Sequence, residues 1–71
     1  MNGIGKNLKK VRLLKGLSLK EAGILLNMSA TDVSKYEIGE LVPDSTKLIE
    51  FGEVYNVVAL DLLNSNDNTE I

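Results

Sequence analysis

Residues 18–36 read SLKEAGILLNMSATDVSKY, and the other predicted helices of the chain pack around this segment. Ser18 is a favourable helix N-cap, and Glu21 follows three residues later, at the spacing of a capping box. Asn27 tolerates the left-handed conformation that ends a helix. Ser29 is then positioned to cap the next helix. The stretch therefore predicts two short helices joined by a tight turn, the first from about Leu19 to Leu26.

Helices this short are not stable alone, so their apolar sides need a further helix to cover them. Gly23 offers no side chain where the two helices of the stretch must cross. The positions able to face inward are Ala22, Leu25, Leu26, Met28, Val33 and Tyr36. A preceding helix is predicted from about Lys6, after a short arm that ends at Gly5. Its helically spaced apolar residues are Ile4, Leu8, Val11 and Leu14.

The second half of the chain predicts two more helices. Asp44 or Ser45 caps a fourth helix of about eleven residues, which Asn56 ends. The residues expected to complete the core are Leu48, Ile49, Phe51, Gly52 and Tyr55, followed by Ala59, Leu62 and Leu63 of a short fifth helix. The sequence thus predicts one all-α domain over residues 1–63. Residues 64–71 are expected to be a polar tail or linker that frays.

A set of residues around the central stretch has the spacing of a known motif. These residues are Leu17, Ser18, Gly23, Ser29, Val33, Ser34, Lys35, Tyr36, Glu37, Gly39 and Pro43. In this order they resemble the lambda-repressor-like, xenobiotic-response-element (Cro/cI-type) helix-turn-helix family, over about Ile4 to Leu63. The resemblance implies a compact five-helix bundle with the helix-turn-helix at its second and third helices. It also implies a bacterial or phage transcriptional regulator of the repressor type, which binds double-stranded DNA sequence-specifically as a homodimer in the cytoplasm.

The composition excludes several classes of function. The 71 residues include no cysteine and no histidine, which removes disulfides, the usual zinc and haem ligands, and Cys or His nucleophile–base pairs. The serines are accounted for as caps or surface residues, and none has a base beside it. No apolar run is long enough to span a membrane. We therefore predict no catalytic residue, no metal site, no cofactor and no membrane partner.

The net charge of −2 is distributed unevenly along the chain. Residues 1–35 hold seven basic and two acidic residues, a net charge of +5. Residues 36–71 hold one basic and eight acidic residues, a net charge of −7. Such a field would orient the half that contains the helix-turn-helix towards a polyanion. Solubility or chance composition is the alternative explanation.

In DNA recognition, contacts to phosphates position the protein and supply affinity, and contacts to bases supply sequence specificity. The residues expected to contact phosphates are Lys20, Leu19 through its backbone amide, Lys10 and Lys6. The residues expected to contact bases are Lys35, Thr31, Ala30 and Ser34, on the first turns of the third helix. Leu19 and Ala30 replace polar residues of many family members. Asp32 adds a negative charge to the same turns of the third helix, unless its side chain caps that helix. Binding by one domain is thus expected to be weak, and a dimer would recover affinity.

Arg12 lies close to the apolar side of the first predicted helix, where a charge needs a partner. The resemblance implies that it forms a structural ion pair with Glu37, at the end of the third helix. Two ordinary solvated charges are the alternative.

A second function remains open on the sequence alone. The alternative is a helix-turn-helix fold used as a protein-interaction or regulatory module. Residues 13–21 and 34–45 resemble helix-turn-helix domains of longer mobile-element regulators, which implies a C-terminal domain or a protein partner. The acidic half and the apolar residues Leu41, Val54, Val58 and Leu60 would then form the contact surface. Salt dependence distinguishes the two functions, because phosphate binding weakens steeply with salt and an apolar interface responds little.

Overall fold

The computed structural model describes residues 3–63, and the predicted tail at residues 64–71 lies outside this range. The elements in chain order are α1 (Ile4–Leu14), α2 (Leu19–Leu26), α3 (Ala30–Ile38), α4 (Ser45–Tyr55) and α5 (Ala59–Leu63). The described residues contain no strand. The prediction of an all-α bundle of five helices, with the helix-turn-helix at α2 and α3, is therefore confirmed.

Local hydrogen bonds set the starts of α2 and α3. The Ser18 hydroxyl accepts the N–H of Glu21 at 2.9 Å, and the Glu21 carboxylate accepts the N–H of Ser18 at 2.8 Å. This is the predicted capping box. The hydroxyl of Ser29 accepts the N–H of Asp32 at 3.0 Å. Each contact satisfies an amide that the first turn of a helix leaves without a backbone partner.

The remaining helix ends follow the same local rules. Asp44, rather than Ser45, caps α4, because its carboxylate accepts the N–H of Lys47 at 2.8 Å. Asn27 and Asn56 end α2 and α4 in the left-handed conformation, with φ of 61° and 59°. Asparagine adopts this region more readily than other non-glycine residues do. Both predicted asparagine stops are thus confirmed.

The core lies between the five helices, and each of them contributes to it. The buried apolar side chains in the described range are Leu8, Ala22, Leu26, Val33, Leu48, Phe51, Tyr55 and Leu62. The Phe51 ring meets Tyr36 edge-on, with centroids 5.3 Å apart, and lies against Tyr55 at 5.8 Å. Aromatic pairs favour such offset and edge geometries. The core therefore joins the helix-turn-helix to α4.

Four residues predicted to face the core are exposed instead: Leu14, Leu25, Ile49 and Leu63. Three of them directly adjoin, along the helix, a residue that does reach the core. One residue turns the side-chain direction by about 100°, so two neighbours on a short helix cannot both point at the same core. The first helix also begins at Ile4 rather than Lys6.

Two glycines allow helices to cross closely. A Cβ atom on Gly23 would lie 2.5 Å from the carbonyl oxygen of Met28, so any side chain there would push the turn away from α2. Gly5 is in the same situation, against the carbonyl oxygen of Glu37 at the end of α3. The expected role of Gly23 at the crossing is confirmed. Gly5, which was assigned to an N-terminal arm, instead belongs to α1 and lets it touch the α3 backbone.

Candidate nucleic-acid interface

Helix α3 packs on α1 and α2 with one side and leaves its other side open to solvent. Val33 is fully buried in the core, and Tyr36 is half-buried against Phe51. Thr31, Lys35 and Ile38 are exposed. Their spacing of four and then three residues places them in one row along a helix. We call this row the open face of α3.

The structure separates the four residues that were predicted to contact bases. Thr31 and Lys35 lie on the open face. Ala30 and Ser34 are half-buried at its edge, where they can reach a ligand only from the side. Ile38 shares the open face but was not among the predicted site residues. Its position three residues after Lys35 is the signal that would have identified it.

The residues predicted to contact phosphates differ in what they offer. Lys20, Lys10 and Lys6 are exposed, and none of them forms an ion pair within residues 3–63. The side chain of Leu19 packs against the core, so only its backbone N–H can serve a phosphate. That N–H belongs to the first turn of α2, where amides lack intrahelical partners and attract anions.

Asp32 places a negative charge in the first turn of α3. Its backbone N–H is taken by Ser29, but its carboxylate does not complete the capping box that Glu21 forms in α2. The side chain is half-buried. A carboxylate near a helix N-terminus stabilises the helix through its dipole. The same charge opposes a phosphate approaching that end of α3.

A buried ion pair joins α1 to α3. The Arg12 Nε atom lies 2.6 Å from Glu37 Oε2, and Nη2 donates to Oε1 at 3.1 Å. The two side chains are only 7% and 5% exposed. Arg12 Nη1 also donates to the carbonyl oxygen of Leu17 at 2.8 Å. This is the pair that the resemblance implied, and two solvated charges do not describe it. The hydrogen bond to Glu37 raises the pKa of Arg12 although burial lowers it, so the guanidinium stays charged.

Tyr55 of α4 lies in the core within the electrostatic reach of this pair. Its hydroxyl is the one buried side-chain polar atom in residues 3–63 that has no hydrogen-bond partner. Burial and then the charge of Glu37 raise the pKa of Tyr55 to about 12, against a smaller lowering by Arg12. The phenol is therefore neutral at physiological pH, so Tyr55 adds no charge near the ion pair.

Three further features of residues 3–63 bear on metal binding, membrane insertion and the surface of α4. Within residues 3–63 no group of acidic side chains is arranged to hold a metal ion. None of the five described helices has the length and apolar character needed to cross a membrane. Lys47 and Glu50 form an ion pair on α4 at 2.9 Å, and this hydrogen bond raises the pKa of Lys47. That pair is partly solvated and belongs to the surface.

A five-helix bundle whose α3 lies on the outside of a helix-turn-helix has the architecture of a DNA-binding domain. The family described as helix-turn-helix domain matches residues 4–64, and the chain belongs to this family, as a member of its xenobiotic-response-element type. The chain is similar to the HTH-type transcriptional regulator ImmR of Bacillus subtilis (strain 168), with 34% identity over 64 residues. The aligned region covers 90% of this chain and 50% of that protein. The chain thus spans about half the length of the curated relative that it matches.

Proposed function

We propose that this chain binds double-stranded DNA sequence-specifically and regulates transcription, with α3 in the major groove. The observation that carries the proposal is the open face of α3, which holds a cation and a hydroxyl in one row. The Arg12–Glu37 pair and the core fix the helix behind that face. Membership of the helix-turn-helix family and the similarity to a transcriptional regulator support the same function.

Base reading falls mainly to two residues. Lys35 is the cation of the open face and can donate to guanine O6 and N7, the acceptors that the major groove presents at G·C pairs. Thr31 can reach a base edge with its hydroxyl or a thymine with its methyl group. Ala30 and Ser34, at the edge of the face, can add an apolar contact and a hydrogen bond at its border. Few residues are therefore available to contact bases, and a single domain should discriminate only modestly between DNA sequences.

Holding the duplex falls to the exposed lysines of α1 and α2. Lys20, Lys10 and Lys6 can each neutralise a phosphate, and the N–H of Leu19 can donate to one. The charge of +5 over residues 1–35 would draw α1 and α2 to the duplex. Asp32 works against this attraction at the start of α3.

A binding isotherm measured at several salt concentrations tests the proposal. The full chain would first select duplexes from a random pool, and the selected duplex would then be titrated beside a scrambled duplex of equal length. Three lysine–phosphate contacts predict that log K falls with log[salt] with a slope of about −3 for one domain. The selected duplex should also bind more tightly than the scrambled one at every salt concentration. Equal affinity for both, or binding indifferent to salt, would contradict the proposal.

We further propose that the chain acts as a homodimer, which would let two copies of α3 read two half-sites about one helical turn of DNA apart. The exposed apolar residues of the last turn and helix, Val58, Leu60 and Leu63, are the surface that supports this proposal. The cytoplasm is the proposed location, since the DNA is there in a bacterium. The proposed function uses no catalytic group, metal ion or cofactor.

An interaction module of a longer regulator is the second candidate function. Leu41, Val58 and Leu60 are exposed, as this function requires, whereas Val54 is half-buried against the core and is a poor contact residue. The matched region is about half of the relative's length, and a further domain is part of this candidate function. Binding to a partner with little salt dependence, in a chain that selects no DNA, would favour this function.

A further inference from the structure

The open face of α3 ends in an apolar residue. Ile38 is the last residue of the helix and is 67% exposed. Single exposed apolar residues are ordinary on protein surfaces, so the exposure of Ile38 carries no meaning by itself. Its position does, because it continues the row of Thr31 and Lys35 by one further turn. A recognition helix contacts bases first with its N-terminal residues, and Ile38 joins them when α3 lies along the groove over its whole length.

The backbone at Ile38 is held from two sides. The preceding residue, Glu37, is bound through its side chain to Arg12, and its carbonyl lies against Gly5. The following residue, Gly39, has φ of 88° and donates its N–H to the carbonyl of Lys35, which ends the helix. Isoleucine is β-branched and has one strongly preferred χ1 rotamer in a helix. The direction of the Ile38 side chain is therefore fixed before any ligand binds.

We propose that Ile38 reads a thymine by contacting its 5-methyl group, an inference that rests on the proposed function. The thymine methyl is the apolar group that base edges present in the major groove. At a rise of about 1.5 Å per residue, Ile38 lies about 4.5 Å beyond Lys35 along the helix axis. Base pairs are about 3.4 Å apart, so the thymine belongs about one base pair beyond the pair that Lys35 contacts. Ile38 is thus a specificity-determining residue that adds an apolar contact to a short polar readout.

Replacing thymine by deoxyuridine tests this contact, because the exchange removes the methyl group and leaves the hydrogen-bonding edge intact. The probe is the duplex that the full wild-type chain selects from a random pool, with each thymine replaced in turn. At one position the wild-type chain should lose about fourfold in affinity. This loss equals about 0.8 kcal/mol, the contribution of one buried methylene, at about 1.4 kcal/mol per tenfold. No methyl-sensitive thymine in the selected duplex would overturn the proposal.

The same scan is then repeated with Ile38→Ala. This variant should bind the thymine duplex more weakly and should lose its sensitivity at that one position, while other positions respond as in the wild type. Ile24→Ala is the matched control, since Ile24 is 70% exposed but lies on α2, outside the open face. The control should reproduce the wild-type scan. Circular dichroism melting of both variants checks that neither substitution of an exposed residue alters folding.

Each other result decides against the inference in its own way. An unchanged scan in Ile38→Ala means that another residue senses the methyl group. An equal loss of affinity on every duplex means that Ile38 contacts the sugar–phosphate backbone, and the proposed function survives without this contact. A loss of the same size in Ile24→Ala means that the effect is not specific to the open face. A wild-type chain that selects no duplex overturns the proposed function and this inference together.

Discussion

The Arg12–Glu37 pair makes the strongest prediction about stability, because it is nearly buried and hydrogen-bonded twice. Arg12→Met leaves the Glu37 carboxylate without its partner and the Leu17 carbonyl without its donor. Removing one partner of a buried pair typically costs about 3–5 kcal/mol, because the remaining charge is desolvated and unmatched. Glu37→Gln likewise leaves the buried Arg12 guanidinium without its anionic partner, and we expect a similar loss of stability.

Such a loss is large for a chain of this length. At about 0.05–0.15 kcal/mol per residue, 71 residues give a total stability of about 4–11 kcal/mol. The single variants should therefore lie close to unfolding at room temperature. Urea midpoints would be measured at low temperature for the wild type, both single variants and the double variant. Arg12→Lys serves as a milder variant that keeps the charge but loses the two-pronged geometry.

The double variant decides whether the two residues act as a pair. It removes both charges at once, so its loss of stability should fall short of the sum of the single losses by about 2 kcal/mol or more. Losses that add within about 0.3–0.5 kcal/mol would show that Arg12 and Glu37 stabilise the fold independently.

The remaining predictions concern binding, ionisation and assembly. Lys35→Ala should cost about 1–3 kcal/mol of binding free energy on the selected duplex and reduce the ratio of its affinity to that for random DNA. Lys20→Ala should weaken binding to all duplexes alike and reduce the slope of log K against log[salt] by about one. Lys47→Ala, which removes the same charge from α4, is the control and should change neither quantity in an anisotropy titration. Tyr55→Phe removes an unpaired buried hydroxyl and should leave stability at pH 7 unchanged or up to about 1 kcal/mol higher. A folded-state pKa of about 12, above the usual value of about 10, means that the contribution of neutral Tyr55 to stability is complete below pH 10 and is lost between pH 10 and pH 12. Urea midpoints of Tyr55→Phe should therefore fall less over that range than those of the wild type. Sedimentation at tens of micromolar should show dimers that Leu60→Glu abolishes without lowering the melting temperature, and a monomer that binds DNA one-to-one would rule out the dimer.

The boundaries of α2, α3 and α4 were predictable because the signals that set them are local, whereas α1 has no side-chain cap and its start was placed two residues late. Ser18 and Glu21 cap each other within one turn, and Asn27 takes its left-handed conformation because of its own side chain. None of these contacts requires knowledge of distant residues. The order of helices along the chain, and hence the helix-turn-helix, followed from such signals together with the spacing of apolar residues.

The division between core and surface was less predictable, because it depends on how each short helix is rotated. Leu25 and Leu26 are equally apolar, and only the packing of α2 decides that Leu26 is buried and Leu25 is not. Ile38 was also missed, because isoleucine is typical of a core residue but Ile38 lies on the open face. The predicted base-contacting residues were chosen for their place on the first turns of α3, and the sequence does not show which side of each turn is open to solvent.

Long-range contacts were predictable only through family resemblance. Arg12 and Glu37 are 25 residues apart, and neither spacing nor composition brings them together. The proximity of Tyr55 to this pair had no signal in the sequence. Gly5 had none either, because its role depends on where the α3 backbone passes.

The close contacts of Gly23 and Gly5 have a consequence for how this protein could acquire new targets. Backbone atoms at the turn before α3 and at its last turn position the helix, and its inward side chains complete the packing. The residues of the open face contribute little to that packing, so their identities are nearly free to vary. A library randomised at Thr31, Lys35 and Ile38 should yield mostly folded members whose target sequences differ. Under the proposed function, mutation can change the recognised sequence in this scaffold while its thermal stability stays nearly constant.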